Sequence, residues 1–139
     1  FRLQVYWLRS SALKRGQAGN KMYHYKAVLV RVVDGDTIDV DIDLGFDVWL
    51  KKQRIRLAGI DAPESRTRNK AEKVLGLAAK ARLVELCSAE MQLESLGKGK
   101  YGRILGIPKT SEGVSMCQIL IDEGHAVEYW GGKKVKVWA

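Results

Sequence analysis

The sequence predicts an α+β fold that is mainly β, with five strands and two helices. Polar and apolar residues alternate strictly over residues 37–44, which is typical of a half-buried strand. Asn69 followed three positions later by Glu72 is a helix start signal, because an Asn caps the helix and an acid at that spacing can bond back to it. Residues 91–94 and 103–107 are short apolar stretches separated by a glycine-rich turn, and they predict a hairpin.

The first three strands follow from the hydrophobic pattern and from turn residues. Residues 26–33 are dominated by Val, Leu and Ala and predict a strand that ends at the turn Asp34-Gly35-Asp36. In the second strand, alternation places four apolar side chains on one face: Ile38, Val40, Ile42 and Leu44. Residues 48–57 predict the third strand, and residues 59–63 contain the Gly and Pro of a loop.

The main helix is predicted from its cap at Asn69 to about Ser88. Four apolar residues recur there at helical spacing and indicate its buried face: Val74, Ala78, Ala81 and Val84. Residues 114–123 predict a second helix that is closed by Gly124, since glycine suits the left-handed position after a helix end. Residues 126–130 form a short final extended segment.

The order of elements is three strands, a helix, two strands and a helix. A small five-stranded Greek-key barrel of the oligonucleotide-binding (OB) type, with two helices packed on it, would show this order. A generic α+β fold fits the pattern almost equally well. With 139 residues, 46 % of them hydrophobic, the chain fits one domain with one modest core.

The net charge of +8 is unevenly distributed. Residues 1–21 contain five basic side chains and no acid, so they supply most of that charge. Met22 is the first methionine, and a β-rich sequence begins directly after it. We therefore predict that residues 1–21 are a leader or an artificial extension and that residues 22–139 form a single domain. A native basic arm that touches nucleic acid is the alternative.

The composition also indicates where the protein acts. No apolar run approaches the length of a membrane span, and the first sixteen residues do not resemble a signal peptide. Cys87 and Cys117 lack the close spacing of a zinc site and are expected to be buried, reduced thiols. A cytoplasmic location with no membrane partner is the resulting expectation.

Acidic residues in separate segments predict a metal site. Asp34 and Asp36 flank the glycine of the first turn, and Asp61 follows the third strand. Since the first three strands are expected to be neighbours, Asp36 and Asp61 are predicted to face each other at one rim of the barrel. Two adjacent carboxylates repel, and a hard divalent cation with oxygen ligands removes that conflict. The backbone carbonyl of Ala62 can add a ligand, although Asp-Gly by itself is an ordinary hairpin turn.

Three further side chains complete the chemistry of a phosphodiester hydrolase. Glu64 lies close to the predicted metal, where a carboxylate can orient a water or take its proton. Arg56 and Arg103 can bind phosphate oxygens through paired hydrogen bonds and stabilise the extra charge of a transition state. Taken singly, each residue is better explained as a solvated surface charge. Together they predict a nuclease.

Three segments in this order resemble the staphylococcal nuclease (thermonuclease) family. They are Asp34-Gly35-Asp36-Thr37, the block from Arg56 to Glu64, and Lys100-Tyr101-Gly102-Arg103. The resemblance extends from about residue 25 to residue 130 and is to the compact members carried by bacteria and phages. It implies the OB-type barrel and Ca²⁺-dependent cleavage of DNA and RNA with little base preference.

The resemblance also implies roles for individual residues. The metal-binding set is Asp36 and Asp61 as carboxylate ligands, the carbonyl of Ala62, and Asp34 as an outer partner. The catalytic set is Arg56 and Arg103 on the phosphate and Glu64 as general base. The substrate-binding set is Lys100 and Tyr101 on the terminal phosphate and sugar, with a stacking aromatic at Tyr129 or Trp130. The competing interpretation is a non-catalytic member of the family that binds nucleic acid or protein on the same barrel.

Overall fold

A computed structural model describes residues 23–88, 90–98 and 103–130. The strands of this part of the chain are β1 (His24–Asp34), β2 (Thr37–Asp43), β3 (Trp49–Leu57), β4 (Ile60–Asp61), β5 (Met91–Lys98), β6 (Ile104–Thr110) and β7 (Val127–Glu128). The helices are α1 (Lys70–Cys87) and α2 (Met116–Asp122). Residues 1–22 lie outside the described residues, so the predicted extension stays a prediction. No helix in the described ranges has the length and apolar character needed to cross a membrane.

Five strands close into a barrel in the order β1-β2-β3-β6-β5. The pairs β1–β2, β2–β3, β5–β6 and β1–β5 are antiparallel, whereas β3 and β6 run parallel. The predicted OB-type barrel with two helices is thereby confirmed. A separate two-stranded ladder joins β4 to β7, and β4 lies inside the segment that the sequence predicted as a loop.

The alternating strand β2 faces the core as predicted. Ile38, Val40 and Ile42 are at most 4 % exposed and belong to the main apolar cluster. Leu44 follows the end of β2 and is only partly buried. The intervening aspartates lie on the other side of the strand, where water and basic side chains can reach them.

The predicted start of α1 is confirmed, but its predicted buried face is wrong. The Asn69 side chain accepts hydrogen bonds from the N–H groups of Ala71 and Glu72, both at 3.1 Å. The buried residues of α1 are Gly76, Ala79, Leu83 and Cys87, whereas Val74, Ala78, Ala81 and Val84 are exposed. The error arose because α1 is apolar on two sides, so the 3.6-residue period fits two stripes. The stripe that packs on the barrel contains Gly76 and Ala79, where the loop at Glu64 and the turn at Gly35 approach the helix closely.

The last elements differ from the prediction mainly in length. Helix α2 begins after Ser115, whose side chain accepts a hydrogen bond from Gln118 N–H, and is therefore shorter than predicted. Gly124 closes it with a φ of +81°, as expected. Both cysteines are free and buried, in agreement with the sequence, and burial raises the pKa of Cys87 and of Cys117 to about 12.

Candidate active site at the rim of the barrel

A cavity of about 620 Å³ opens at one rim of the barrel. Its lining includes nine of the predicted site residues: Asp34, Asp36, Arg56, Asp61, Ala62, Glu64, Arg103, Tyr129 and Trp130. The other two, Lys100 and Tyr101, lie outside the described residues. The structure thus brings together side chains that are up to 96 positions apart in the chain.

Strand pairing places Arg56 beside the first turn. Thr37 is the partner of Arg56 across β2 and β3, and the N–H of Leu57 donates to the carbonyl of Asp36 at 2.8 Å. Since Asp36 directly precedes Thr37, the carboxylate and the guanidinium reach the same wall of the cavity.

The Arg56 guanidinium is held mainly by backbone carbonyls. Nη1 donates to Leu57 O at 2.9 Å and to Asp36 O at 3.4 Å, and Nη2 donates to Ile60 O at 2.9 Å. Nη2 is also 3.6 Å from Asp36 Oδ2, which is a loose ion pair. The side chain is only 15 % exposed, so its orientation is fixed by the surrounding backbone.

Asp36 and Asp61, the two carboxylates predicted to bind the metal, both line the cavity. Oδ1 of Asp36 accepts from Thr37 Oγ1 and Oδ2 accepts from Ala62 N–H, both at 3.1 Å. The second bond ties the first turn to the segment after β3, which carries the buried Asp61. The predicted convergence of Asp36 and Asp61 at one rim agrees with their common place in the cavity wall.

Glu64 projects from an anchored loop. Its side chain is exposed, whereas Pro63 and Ser65 on either side are buried. The N–H of Glu64 donates to Glu72 Oε2 at 3.1 Å, which joins the loop to the first turn of α1. Asp34 Oδ1 accepts from Ser65 N–H at 3.1 Å and also from Ser65 Oγ.

Sequence reasoning did not find Ser65, Glu72 or Gly76 as parts of this site. Glu72 was interpreted only as a helix start signal. Gly76 carried the signal that could have revealed the contact, since a glycine inside a helix usually has a packing or functional reason. A Cβ built at Gly76 would lie 2.3 Å from the carbonyl oxygen of Glu64.

Comparison with known proteins identifies the family. The sequence profile described as "Staphylococcal nuclease homologue" matches residues 54–136, which is more than half of the chain. This chain belongs to the staphylococcal nuclease family. It is also 37 % identical over 84 residues to a protein described as "Micrococcal nuclease" from Shigella flexneri. That alignment covers 60 % of this chain and 41 % of the relative, so the match spans less than half of the relative's length.

The staphylococcal nuclease match covers only part of the cavity wall by sequence. It includes Arg56, Asp61, Glu64, Arg103, Tyr129 and Trp130, whereas Asp34 and Asp36 precede it. Asp34 and Asp36 nevertheless lie next to the matched segment, because they accept hydrogen bonds from the N–H groups of Ser65 and Ala62.

The two candidate aromatic residues of this staphylococcal nuclease homologue both line the cavity. Tyr129 N–H donates to Gly59 O at 2.9 Å, next to the β4–β7 ladder. The Trp130 ring lies against Gly59, where a Cβ would come within 2.6 Å of Cζ2, and the residue is 71 % exposed. The choice between them for a stacking role therefore stays open.

The donor atoms fit a hard cation held by few protein ligands. The cavity offers carboxylate and backbone oxygens, which suit Ca²⁺, and no described cysteine or histidine lines it. Within the described ranges there is no cluster of three or more His, Cys, Asp or Glu side chains close enough to hold a metal. Two carboxylates would thus need a carbonyl and waters to complete the shell.

Proposed function

We propose that this protein is a Ca²⁺-dependent nuclease that hydrolyses phosphodiester bonds in DNA, and also in RNA, with little sequence specificity. The observation that supports it most is that Arg56, Asp36, Asp61, Glu64 and Arg103 line one cavity. Membership of the staphylococcal nuclease family and the similarity to a protein described as a micrococcal nuclease support the same activity.

In this proposal Asp36, Asp61 and the carbonyl of Ala62 hold the Ca²⁺, and Asp34 is an outer partner. A Ca²⁺ held by these residues would supply positive charge that polarises the scissile phosphate and favours attack by water. The bond from Ala62 N–H to Asp36 Oδ2 orients that carboxylate before the ion arrives. A ligand that is oriented in advance loses less conformational entropy on binding.

Arg56 and Arg103 bind the phosphate oxygens. Backbone carbonyls hold both Nη groups of Arg56, while Nε has no hydrogen-bond partner among the described residues and remains a donor for substrate. Because the guanidinium is already fixed, little reorganisation is needed as charge develops on the phosphorus oxygens, and such preorganised donors favour the transition state over the ground state.

Glu64 orients the attacking water and takes its proton. Its exposed carboxylate lines the cavity that also contains the two arginines, so a water bound there can approach a phosphate from the side of the acid. A positioned general base of this kind typically contributes about 10²- to 10⁴-fold in rate.

The remaining contacts are with the nucleotide outside the scissile bond. We assign Lys100 and Tyr101 to the terminal phosphate and sugar, and Tyr129 or Trp130 to a base. Stacking of one base on an aromatic ring contributes about 1–3 kcal/mol and depends little on sequence, which fits the low specificity proposed. We also propose a cytoplasmic location, which the two free, buried cysteines support.

The test is cleavage of single-stranded DNA, double-stranded DNA and RNA by the full chain with Ca²⁺, with Mg²⁺ and with chelator. The control is the Glu64→Ala, Arg103→Ala double variant. We expect Ca²⁺-dependent cleavage that the control lacks, and weak cleavage with Mg²⁺, because that smaller ion demands near-ideal octahedral geometry. If the protein bound nucleic acid but never cut it, the proposal would be overturned in favour of a non-catalytic family member that binds nucleic acid.

A further inference from the structure

We propose that Glu72 and Gly76 of helix α1 are positioning residues for Glu64. The inference rests on the proposed function of Glu64 as general base. Neither residue lines the cavity, so each acts through the loop that carries Glu64. Through these two residues, the N-terminal half of α1 fixes the backbone of the loop that carries Glu64.

The first support is the hydrogen bond from Glu64 N–H to Glu72 Oε2, at 3.1 Å. An acid in the first turn of a helix commonly interacts with the N-terminal backbone groups of that helix. Here one carboxylate oxygen reaches across to a different segment. The bond fixes the main chain of Glu64, and this restricts the directions in which the Glu64 side chain can point into the cavity.

The second support is the close approach of the loop to Gly76. A glycine inside a helix costs about 1 kcal/mol relative to alanine. At this position a Cβ would lie 2.3 Å from Glu64 O, 2.4 Å from Glu64 C and 2.7 Å from Ser65 N, all of them backbone atoms. The peptide between Glu64 and Ser65 therefore rests on the helix surface, and any larger side chain must displace it.

A third contact holds the same loop from the side of the barrel. Asp34 Oδ1 accepts from Ser65 N–H at 3.1 Å and from Ser65 Oγ. Ser65 is 4 % exposed. The peptide after Glu64 is thus clamped between α1 and the β1–β2 turn, while the Glu64 side chain is left exposed at the cavity.

This arrangement predicts a specific kinetic signature. Glu64 acts in the chemical step, so a loop that loses its support should lower kcat and leave KM nearly unchanged. A misplacement of about 1 Å can cost about 10²-fold in rate, although the contact that causes it lies away from the chemistry. A merely structural role for Glu72 would instead lower stability without separating kcat from KM.

The experiment compares Glu72→Ala with Glu72→Gln in the full chain. Gln keeps an oxygen that can accept from Glu64 N–H but removes the negative charge, so it separates the hydrogen bond from the helix-dipole effect. We expect Glu72→Ala to lower kcat at least about 10-fold with KM within about two-fold, and Glu72→Gln to restore kcat to within about two-fold of wild type. Glu85→Ala, the same substitution at an exposed position of α1, should leave kcat unchanged.

Amide hydrogen exchange provides a readout that does not need activity. The Glu64 N–H should exchange at least about ten times faster in Glu72→Ala than in wild type or Glu72→Gln, since only Ala removes the acceptor. Gly76→Ala, if it folds, should lower kcat as well, because its Cβ displaces the Glu64 carbonyl.

The two proposals fail in different ways. A wild-type protein without nuclease activity but with Glu72-dependent exchange at Glu64 would refute the proposed function and retain the positioning contact. An active enzyme in which Glu72→Ala leaves kcat and exchange unchanged, or in which Gln behaves like Ala, would overturn the positioning role.

Discussion

Two aspartate–arginine pairs lie close together where β2 and the turn before it meet β3, and they differ in what their carboxylates bind. On the outer surface Asp39 receives Arg54 Nε at 2.9 Å, Arg54 Nη2 at 3.2 Å and Arg31 Nε at 3.2 Å. At the rim, Asp36 Oδ2 is 3.6 Å from Arg56 Nη2, and the guanidinium donates to carbonyls. One carboxylate is saturated by guanidinium groups and the other is not.

Burial does not distinguish the two aspartates. The Asp39 side chain is 15 % exposed and that of Asp36 is 14 % exposed. The partners separate them, because hydrogen bonds from Arg54 and then Arg31 hold the pKa of Asp39 below its usual value. A carboxylate whose lone pairs are already committed to arginine is a poor cation ligand. We therefore expect Asp39 to stabilise the barrel, whereas Asp36 keeps its proposed role as a metal ligand.

We expect the largest difference between the two pairs when their arginines are replaced. Arg56→Ala and Arg103→Ala should each lower kcat at least about 10²-fold, by analogy with the loss of an oxyanion-hole donor. Arg54→Ala, two residues from Arg56 on the same strand, should change kcat less than about two-fold. The measurement is steady-state cleavage of single-stranded DNA in Ca²⁺, with circular dichroism to verify folding. Mild effects from Arg56→Ala and Arg103→Ala would remove the transition-state role of this pair.

The fold was largely predictable because its signals are local. Alternation in β2, the cap at Asn69 and the glycine after α2 each depend on a few neighbouring residues, and all three were confirmed. The buried face of α1 was not predictable, since Val84 and Leu83 are equally apolar and only the barrel decides between them. Leu83 is fully buried, whereas Val84 is 44 % exposed.

The residues that line the cavity could be predicted as a group, but the contacts that support them could not. Acids and arginines are recognisable by chemical type, so Asp36, Arg56 and Asp61 could be proposed for one site before any geometry was known, and all three line the cavity. The contact of Glu64 with Glu72 spans eight residues and depends on the packing of Gly76 against the loop. A glycine inside the helix indicates a packing contact, but the spacing of these residues does not indicate which segment packs there.

We expect the aspartates of the two pairs to differ in how much of the stabilisation by Ca²⁺ depends on them. An ion that binds only the folded state should raise the Tm, and at 100 times its Kd it stabilises by about 2.7 kcal/mol. Asp36→Asn should abolish this gain, while Asp39→Asn should retain it because Arg54 and Arg31 already occupy that carboxylate. Thermal unfolding with and without Ca²⁺ measures both. A Ca²⁺ gain lost equally in the two variants would show that the outer pair is not separate from the site.

The smallest effect concerns the outer pair and its dependence on pH. The folded-state pKa of Asp39 is lowered, chiefly by its hydrogen bond with Arg54, so the pair stabilises the fold above the unfolded-state value of 3.8. That contribution should be lost as the pH falls from 3.8 through the folded-state pKa. Asp39→Asn should therefore be less stable than wild type at pH 7, by less than about 1 kcal/mol, since Arg31 and Arg54 are about half exposed.

Urea unfolding at pH 7, 5 and 3 measures this difference, which should stay constant between pH 7 and 5 and shrink at pH 3. Asp47→Asn is the matched control, because Asp47 lies exposed in the β2–β3 turn with a φ of 62°, a conformation that Asn tolerates. A difference for Asp39→Asn that grows as the pH falls would mean that Asp39 is destabilised when charged. Arg54 and Arg31 would then not stabilise the charged outer carboxylate, and the contrast between the two pairs would fail.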